Sequence, residues 1–161
     1  MATTIGTESD VMEALRNLIE LDYDAVEAYE AAISRLDDSI LRQGLASFLD
    51  DHLRHIRELS PVVHQMGGEV PTQGDMRRWL TKGKVVIGNI LGDRGVLMAM
   101  KSNEDDTNEA YEHASARGDL SSDLGQLLVK NLADERRHRQ WIMNRLDAMQ
   151  DMPESSTTSR S

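Results

Sequence analysis

Cysteine is absent from the 161-residue chain, which excludes disulfides, thiolate nucleophiles, zinc fingers and any iron–sulfur or rubredoxin-type iron centre held by this chain. A bound metal would have to sit on Asp, Glu and His. Aromatic residues make up only 4% and there are only 3 Pro, a shortage that leans towards helix rather than sheet. No apolar run approaches the ~20 residues that a membrane-spanning helix needs, and the start, MATTIGTESD, has neither the basic nor the apolar region of an export signal. A cytoplasmic protein without a membrane partner is expected. Positive charge is in deficit, with 18 Lys and Arg against 28 Asp and Glu, a net charge of −10 and a pI near 4.9. No basic stripe is left to seat phosphates, so nucleic acid is not expected as a partner. The Gly-containing run 83–95 lacks both a Gly-x-Gly-x-x-Gly pattern and a Gly-Lys-Ser/Thr ending and is not a nucleotide loop.

What is present is helical periodicity. Asp10 followed three residues later by Glu13 can open a helix, and Met12, Leu15, Leu18, Ile19, Ala25, Val26, Tyr29 and Ile33 recur at helical spacing, predicting a helix over 10–36. Asp37 and Asp38 break the pattern and can cap a second helix, whose stripe includes Ile40, Leu41, Leu45, Phe48, Leu49, Ile56, Leu59 and Val63 and which ends at Gly67 and Gly68. Residues 69–83 are irregular apart from a short amphipathic piece around Met76, Trp79 and Leu80, and the apolar stretch 85–91 reads as a short helix. Val96, Leu97, Met100, Thr107, Tyr111 and Ala114 mark a third long helix ending at Gly118, after which Ser121 or Ser122 can cap a fourth through about residue 149. The expected fold is all-α: a four-helix bundle with short first and last turns and one long crossover, containing a short helix, between the second and third helices. The expected division is a flexible lead over 1–9, the bundle over 10–149 and a disordered tail over 150–161. Met98, Met100, Met143 and Met149 read as core or end packing. In the crossover, Trp79, Val85, Val86, Ile87, Ile90 and Leu91 supply apolar surface for a homodimer.

A weak internal repeat falls on the ionisable residues. The first helix reads DYDAVEAYE over 22–30 and the third EDDTNEAYE over 104–112, an offset of 82. The second reads DHLRH over 51–55 and the fourth DERRH over 134–138, an offset of 83. Residues three apart share a helix face, so His52 and His55 can address one region, as can Glu135 and His138. Asp22 and Glu104 lie on the apolar stripes of their helices. Carboxylates buried there without partners would cost several kcal/mol, and their convergence implies a compensating cation or a raised pKa. Taken singly, Glu135 and His138 read equally well as solvated helix surface beside Arg136, Arg137, Arg139 and Arg145, and His52 and His55 read rather as a polar surface patch near Arg54 and Arg57. The matched offsets favour a metal site made of Asp22, His52, His55, Glu104, Glu135 and His138. The neighbouring acids Glu20, Asp24, Glu27, Glu30, Asp105, Asp106, Glu109 and Glu112 are expected on solvated faces or as salt-bridge partners, and His64 and His113 at the surface.

This pattern resembles the ferritin-like superfamily of di-iron carboxylate proteins, which sets one Glu on each of two helices against a Glu-x-x-His motif on each of the other two. The likeness runs over 10–149. Glu135-Arg136-Arg137-His138 matches the motif in full and Glu104 matches a single-carboxylate position. Tyr29 and Tyr111, each seven residues after a single carboxylate, resemble the rubrerythrin branch, where such tyrosines hydrogen-bond to the ligands. The wording of 18–22 and the Gly67-Gly68 helix end is most similar to small bacterial ferritin-like bundles of largely uncharacterised function. Two departures stand out: His52 replaces the first motif's Glu, and the shorter Asp22 replaces the first single Glu. The resemblance implies two iron ions, with manganese or zinc suited to the same oxygen and nitrogen ligands. Glu135 would be the single protein bridge and His52 a terminal ligand, and a one-metal site is the other arrangement. It also implies Fe(II) oxidation by dioxygen or hydrogen peroxide in oxidative or metal stress, with an external reductant because the rubredoxin-like centre is missing. The competing reading is a degenerate bundle without redox activity, serving as a structural or protein-interaction module.

Overall fold

The computed structural model describes residues 3–73, 87 and 90–150. Helix α1 (Val11–Arg35) is capped by Asp10, whose carboxylate accepts from the Met12 amide at 3.3 Å, with Glu13 in the first turn and Leu36 as C-cap; these are the ends the capping residues predict. Asp38 caps α2 (Ser39–Gln65) by accepting from the amides of Ile40 and Leu41. This helix ends where Gly67 takes φ +80°, a conformation glycine adopts without strain, while the Gly68 amide reaches back to the Val63 carbonyl. Helix α3 spans Asp93–Ser115 and α4 spans Ser122–Gln150. The Ser121 hydroxyl accepts from the Leu124 amide at the start of α4.

The fold is an all-α four-helix bundle, and no strand occurs among the described residues. No helix among them is long and apolar enough to cross a membrane. Helix α1 packs against both α2 and α3, α3 packs against α4, and α2 and α4 meet less closely than these three pairs. The turn between α1 and α2 is tied to the start of α3, because the Asp93 carboxylate accepts from the amides of Asp37 and Asp38 at 2.8 and 3.1 Å. Successive helical residues are separated by about 100°, so the unbroken buried run from Asn17 to Leu21 and on to Asp22 means that α1 is enclosed around its whole circumference. That enclosure explains why Glu20 and Asp24, expected on solvated faces or as salt-bridge partners, are buried.

Two apolar clusters fill the bundle. One gathers Leu18, Ile19, Ile56, Leu59, Tyr111 and Leu128; the other gathers Tyr29, Leu45, Phe48, Leu97, Met100 and Ile142. Ile40 and Met98, expected in the core, are exposed at helix starts or outer faces. Ile87 is buried in the second cluster and is therefore not available to a partner. The expected short crossover helix, Trp79, Val85 and Val86, and the tail from 151 lie outside the described residues. Residues 3–9 of the polar lead pack back onto the bundle. Ile5 is 1% exposed, Arg117 donates to the carbonyls of Gly6 and Glu8, and Glu8 accepts from Asn17 at 2.7 Å. His113 is part of this contact, its Nδ1 3.1 Å from the Ile5 carbonyl, rather than an isolated surface residue.

Candidate metal centre

Between the two apolar clusters each helix delivers ionisable side chains to a common layer. Asp22 comes from α1 and Glu104 from α3, each from a face otherwise used for packing; α2 brings His52 and His55, and α4 brings Glu135 and His138. None is more than 1% exposed. They form two overlapping groups, Asp22–His52–His55–Glu135 and His52–Glu104–Glu135–His138, whose ligand atoms lie within 4.8 Å of one another. All six residues singled out from the sequence are thus brought together. His52 and Glu135, related by the offset of 83, belong to both groups.

Apart from the 2.8 Å contact between His52 Nδ1 and Asp22 Oδ1, the approaches within these groups are longer than ordinary hydrogen bonds. His55 Nδ1 lies 3.3 Å from Glu135 Oε1 and 3.5 Å from Asp22 Oδ1; His138 Nδ1 and His52 Nε2 each lie 3.6 Å from Glu104 Oε1. These separations are long for hydrogen bonds, whereas metal–ligand bonds of about 2.0–2.2 Å set neighbouring ligands roughly 3.0–3.4 Å apart. His52 Nε2, His55 Nδ1, His138 Nδ1 and both oxygens of Glu135 are buried and have no hydrogen-bond partner. Each such group costs about 1–3 kcal/mol, so five at one point would consume much of a small domain's stability unless something charged satisfies them.

The surrounding shell orients the ligands. His55 Nε2 donates to Asp134 Oδ2 at 3.1 Å and His138 Nε2 donates to Asp51 Oδ2 at 2.8 Å. An ionised carboxylate supplies no proton, so these bonds place the ring proton on Nε2 and, in the neutral imidazole, turn the Nδ1 lone pair inwards. Asp51 and Asp134 are themselves joined by Arg54 and Arg137 into a closed ring. Arg137 donates to Asp51 at 2.6 Å and to Asp134 at 3.2 Å, and Arg54 donates to both aspartates. This ring bridges α2 and α4. On the opposite flank the tyrosines cross over: Tyr111 of α3 donates to Asp22 of α1 at 2.6 Å, and Tyr29 of α1 donates to Glu104 of α3. Burial and the neighbouring carboxylate charges push both phenols well above their ordinary pKa, so they stay protonated donors. Asn108 donates to the backbone carbonyls of Glu104 and Glu135 at 2.7 and 3.0 Å, locking α3 to α4 at the ligands, and it also lines an outer groove of about 550 Å³ between those helices.

Electrostatically the layer can offset part of its own charge with protons. Burial opposes charging His52 and His55, but the neighbouring carboxylates outweigh it: Glu135, Asp22 and Glu104 push His52 up to about 10, and Asp134, Asp22 and Glu135 push His55 up to about 12. Burial likewise opposes ionising Asp22 and Glu104, yet the facing imidazoles hold both below the ordinary carboxylate range. Three carboxylates therefore face three imidazoles. Divalent ions would displace the imidazole protons and take their place.

With this geometry in hand, comparison with known proteins places the chain. The family described as a domain of unknown function, DUF2383, matches residues 10–117, about two thirds of the sequence. The chain belongs to this family. No curated protein and no solved structure matches it. In this DUF2383 chain the matched span carries Asp22, His52, His55 and Glu104, together with Tyr29, Asp51, Arg54 and Tyr111.

Sequence reasoning missed the Asp51–Arg54–Asp134–Arg137 ring, placing the arginines on solvated faces. The signal was present, because both pairs obey the same offset of 83 as the ligands. What was not readable is that they meet across the α2–α4 gap.

Proposed function

We propose that this DUF2383 protein is a ferritin-like metal-binding bundle that holds two ions, iron being favoured and manganese or zinc fitting the same donors. Asp22, His55 and Glu135 hold one ion; Glu104, His138, His52 and Glu135 hold the other. The observation that carries this reading is the convergence of five buried, unpartnered ligand atoms from α2 and α4 beside the carboxylates of α1 and α3. Bound iron supplies electrons to dioxygen or hydrogen peroxide, a role suited to oxidative or metal stress. The chain's own residues position that chemistry: Asp51 and Asp134 hold the imidazole protons outward, while Tyr29 and Tyr111 hold the terminal carboxylates. Electrons return from an external reductant, since the chain has no cysteine.

The test is reconstitution with Fe(II) followed by elemental analysis and optical measurement of Fe(II) oxidation in air and in peroxide. Two ions per chain are expected, lost in the Glu135→Ala, His138→Ala double variant. Metal content of the parent no higher than that of the variant refutes the reading.

A second reading is favoured by the balance of three imidazoles against three carboxylates. With His52 and His55 protonated, two of the three carboxylate charges are offset without a metal, and the bundle serves as a structural or interaction module. It predicts a thermal midpoint insensitive to Fe(II), Mn(II) and Zn(II).

A further inference from the structure

The two halves of the candidate centre differ at one pair of repeat-related positions. Phe48 of α2 and Asn131 of α4 stand 83 residues apart, each one turn before a residue common to both ligand groups, His52 or Glu135. Phe48 stacks on His138 with ring centroids 4.3 Å apart and meets Tyr29 and Trp141 edge-on, giving the Glu104–His138 half an apolar wall. Asn131 is 0% exposed, and neither its Oδ1 nor its Nδ2 has a hydrogen-bond partner. Its amide reaches only the Tyr111 phenol, through a long side-chain contact that eases ionisation of that phenol, and Tyr111 is the donor to Asp22. Packing does not account for it: flanked by Leu128 and Leu132 in an apolar cluster, the position would suit a leucine.

Ligand count separates the halves in the same direction. His52 Nδ1 donates to Asp22 Oδ1 at 2.8 Å, which leaves Nε2 for the Glu104 half. That half then has four protein ligands, Glu104, His138, His52 and Glu135. The Asp22 half has three, Asp22, His55 and Glu135. Metal sites that exchange ligands keep three protein ligands and an open position.

We propose that Asn131 seats a small exogenous donor on the Asp22–His55 half of the centre: water or hydroxide at rest, exchangeable for a small anion. The amide Nδ2 donates to the anionic ligand and Oδ1 accepts from a protonated one, so one side chain holds either form. This rests on the metal-binding reading above and adds to it that exchange is confined to one half.

The experiment uses the full chain loaded with Co(II), with metal stoichiometry measured first and azide then titrated and followed by visible absorption. The parent is expected to show saturable azide binding. Asn131→Leu should weaken azide by about tenfold or more, the effect of losing one hydrogen bond to a charged group, while Co(II) stoichiometry is retained. The metal-free Asn131→Leu protein should melt above the metal-free parent, because a buried amide with at most one long contact is gone. Asn131→Ala is measured in parallel in case the leucine disrupts folding. Azide affinity equal to the parent's in a folded, Co(II)-loaded variant overturns the proposal, as does a Co(II)-loaded parent that shows no azide response. A parent that takes up no Co(II) overturns the metal reading itself, a separate result because it is read before azide is added.

Discussion

The substitution His52→Glu tests the charge balance at the heart of the bundle. It changes three carboxylates facing three imidazoles into four facing two, at a position 0% exposed. In the metal-free fold His52 is pushed from 6.5 up to about 10. Its protonation therefore contributes about 4 kcal/mol at pH 7, at 1.36 kcal/mol per pH unit. The variant forfeits that contribution and gains a buried anion, part of whose penalty is relieved when the new carboxylate takes up a proton. A net loss of about 4 kcal/mol or more is expected, a large share of the 5–15 kcal/mol typical of a domain. With metal the order reverses, because the added carboxylate faces cations instead of other carboxylates. Urea denaturation of chelator-treated protein at pH 7 reads the first effect, and thermal midpoints against Mn(II) concentration read the second. Saturation at about 100 times Kd stabilises by about 2.7 kcal/mol, and the variant should reach it at a Mn(II) concentration at least about tenfold lower than the parent does. A metal-free variant as stable as the parent, or one whose response to Mn(II) is no greater, would refute the reasoning.

Three further outcomes follow from the same geometry. The pKa values of His52 and His55 lie above their unfolded value of 6.5, so their stabilisation is complete below about pH 6.5 and is lost as pH rises through 10 and 12; those of Asp22 and Glu104 are lowered, so theirs is complete above about 4.5 and is lost as pH falls. The metal-free urea midpoint should therefore be highest between about pH 4.5 and 6.5, and a midpoint that climbs from pH 7 to 10 contradicts this. Asp134→Asn removes the carboxylate that holds the Nε2 proton of His55 and should weaken metal binding about 10- to 100-fold, measured by competition with a chelating dye; unchanged affinity would show that the ring does not orient the ligand. Ile5→Ala should destabilise the fold by about 2–4 kcal/mol through loss of buried volume, whereas a truly flexible lead would give no change in the denaturation midpoint.

Much of the bundle was legible because its signals are local. Asp10, Asp38 and Ser121 cap helices from within a few residues, and Gly67 ends α2 because its backbone tolerates positive φ. The six candidate ligands were legible for a different reason: a repeat at offsets of 82 and 83 marks positions that occupy equivalent faces of paired helices. Burial of Glu20 and Asp24 was not legible, since it follows from α1 being enclosed on every side. Nor was the anchoring of Ile5, which depends on the groove it meets beside α3 and on Arg117 reaching the lead's carbonyls.

The absence of cysteine, the helical periodicity and the spacing of Asp, Glu and His determined by themselves that any metal site would be made of oxygen and nitrogen donors on four helices. Those properties belong to single residues and to neighbours within one turn. Only the tertiary structure decided that Asp134 supports His55 and Asp51 supports His138, that each tyrosine serves the other helix's carboxylate, and that Phe48 and Asn131 make the halves unequal. Each of these is a contact between helices far apart in the chain, fixed by the packing angle and register of the bundle rather than by any local preference.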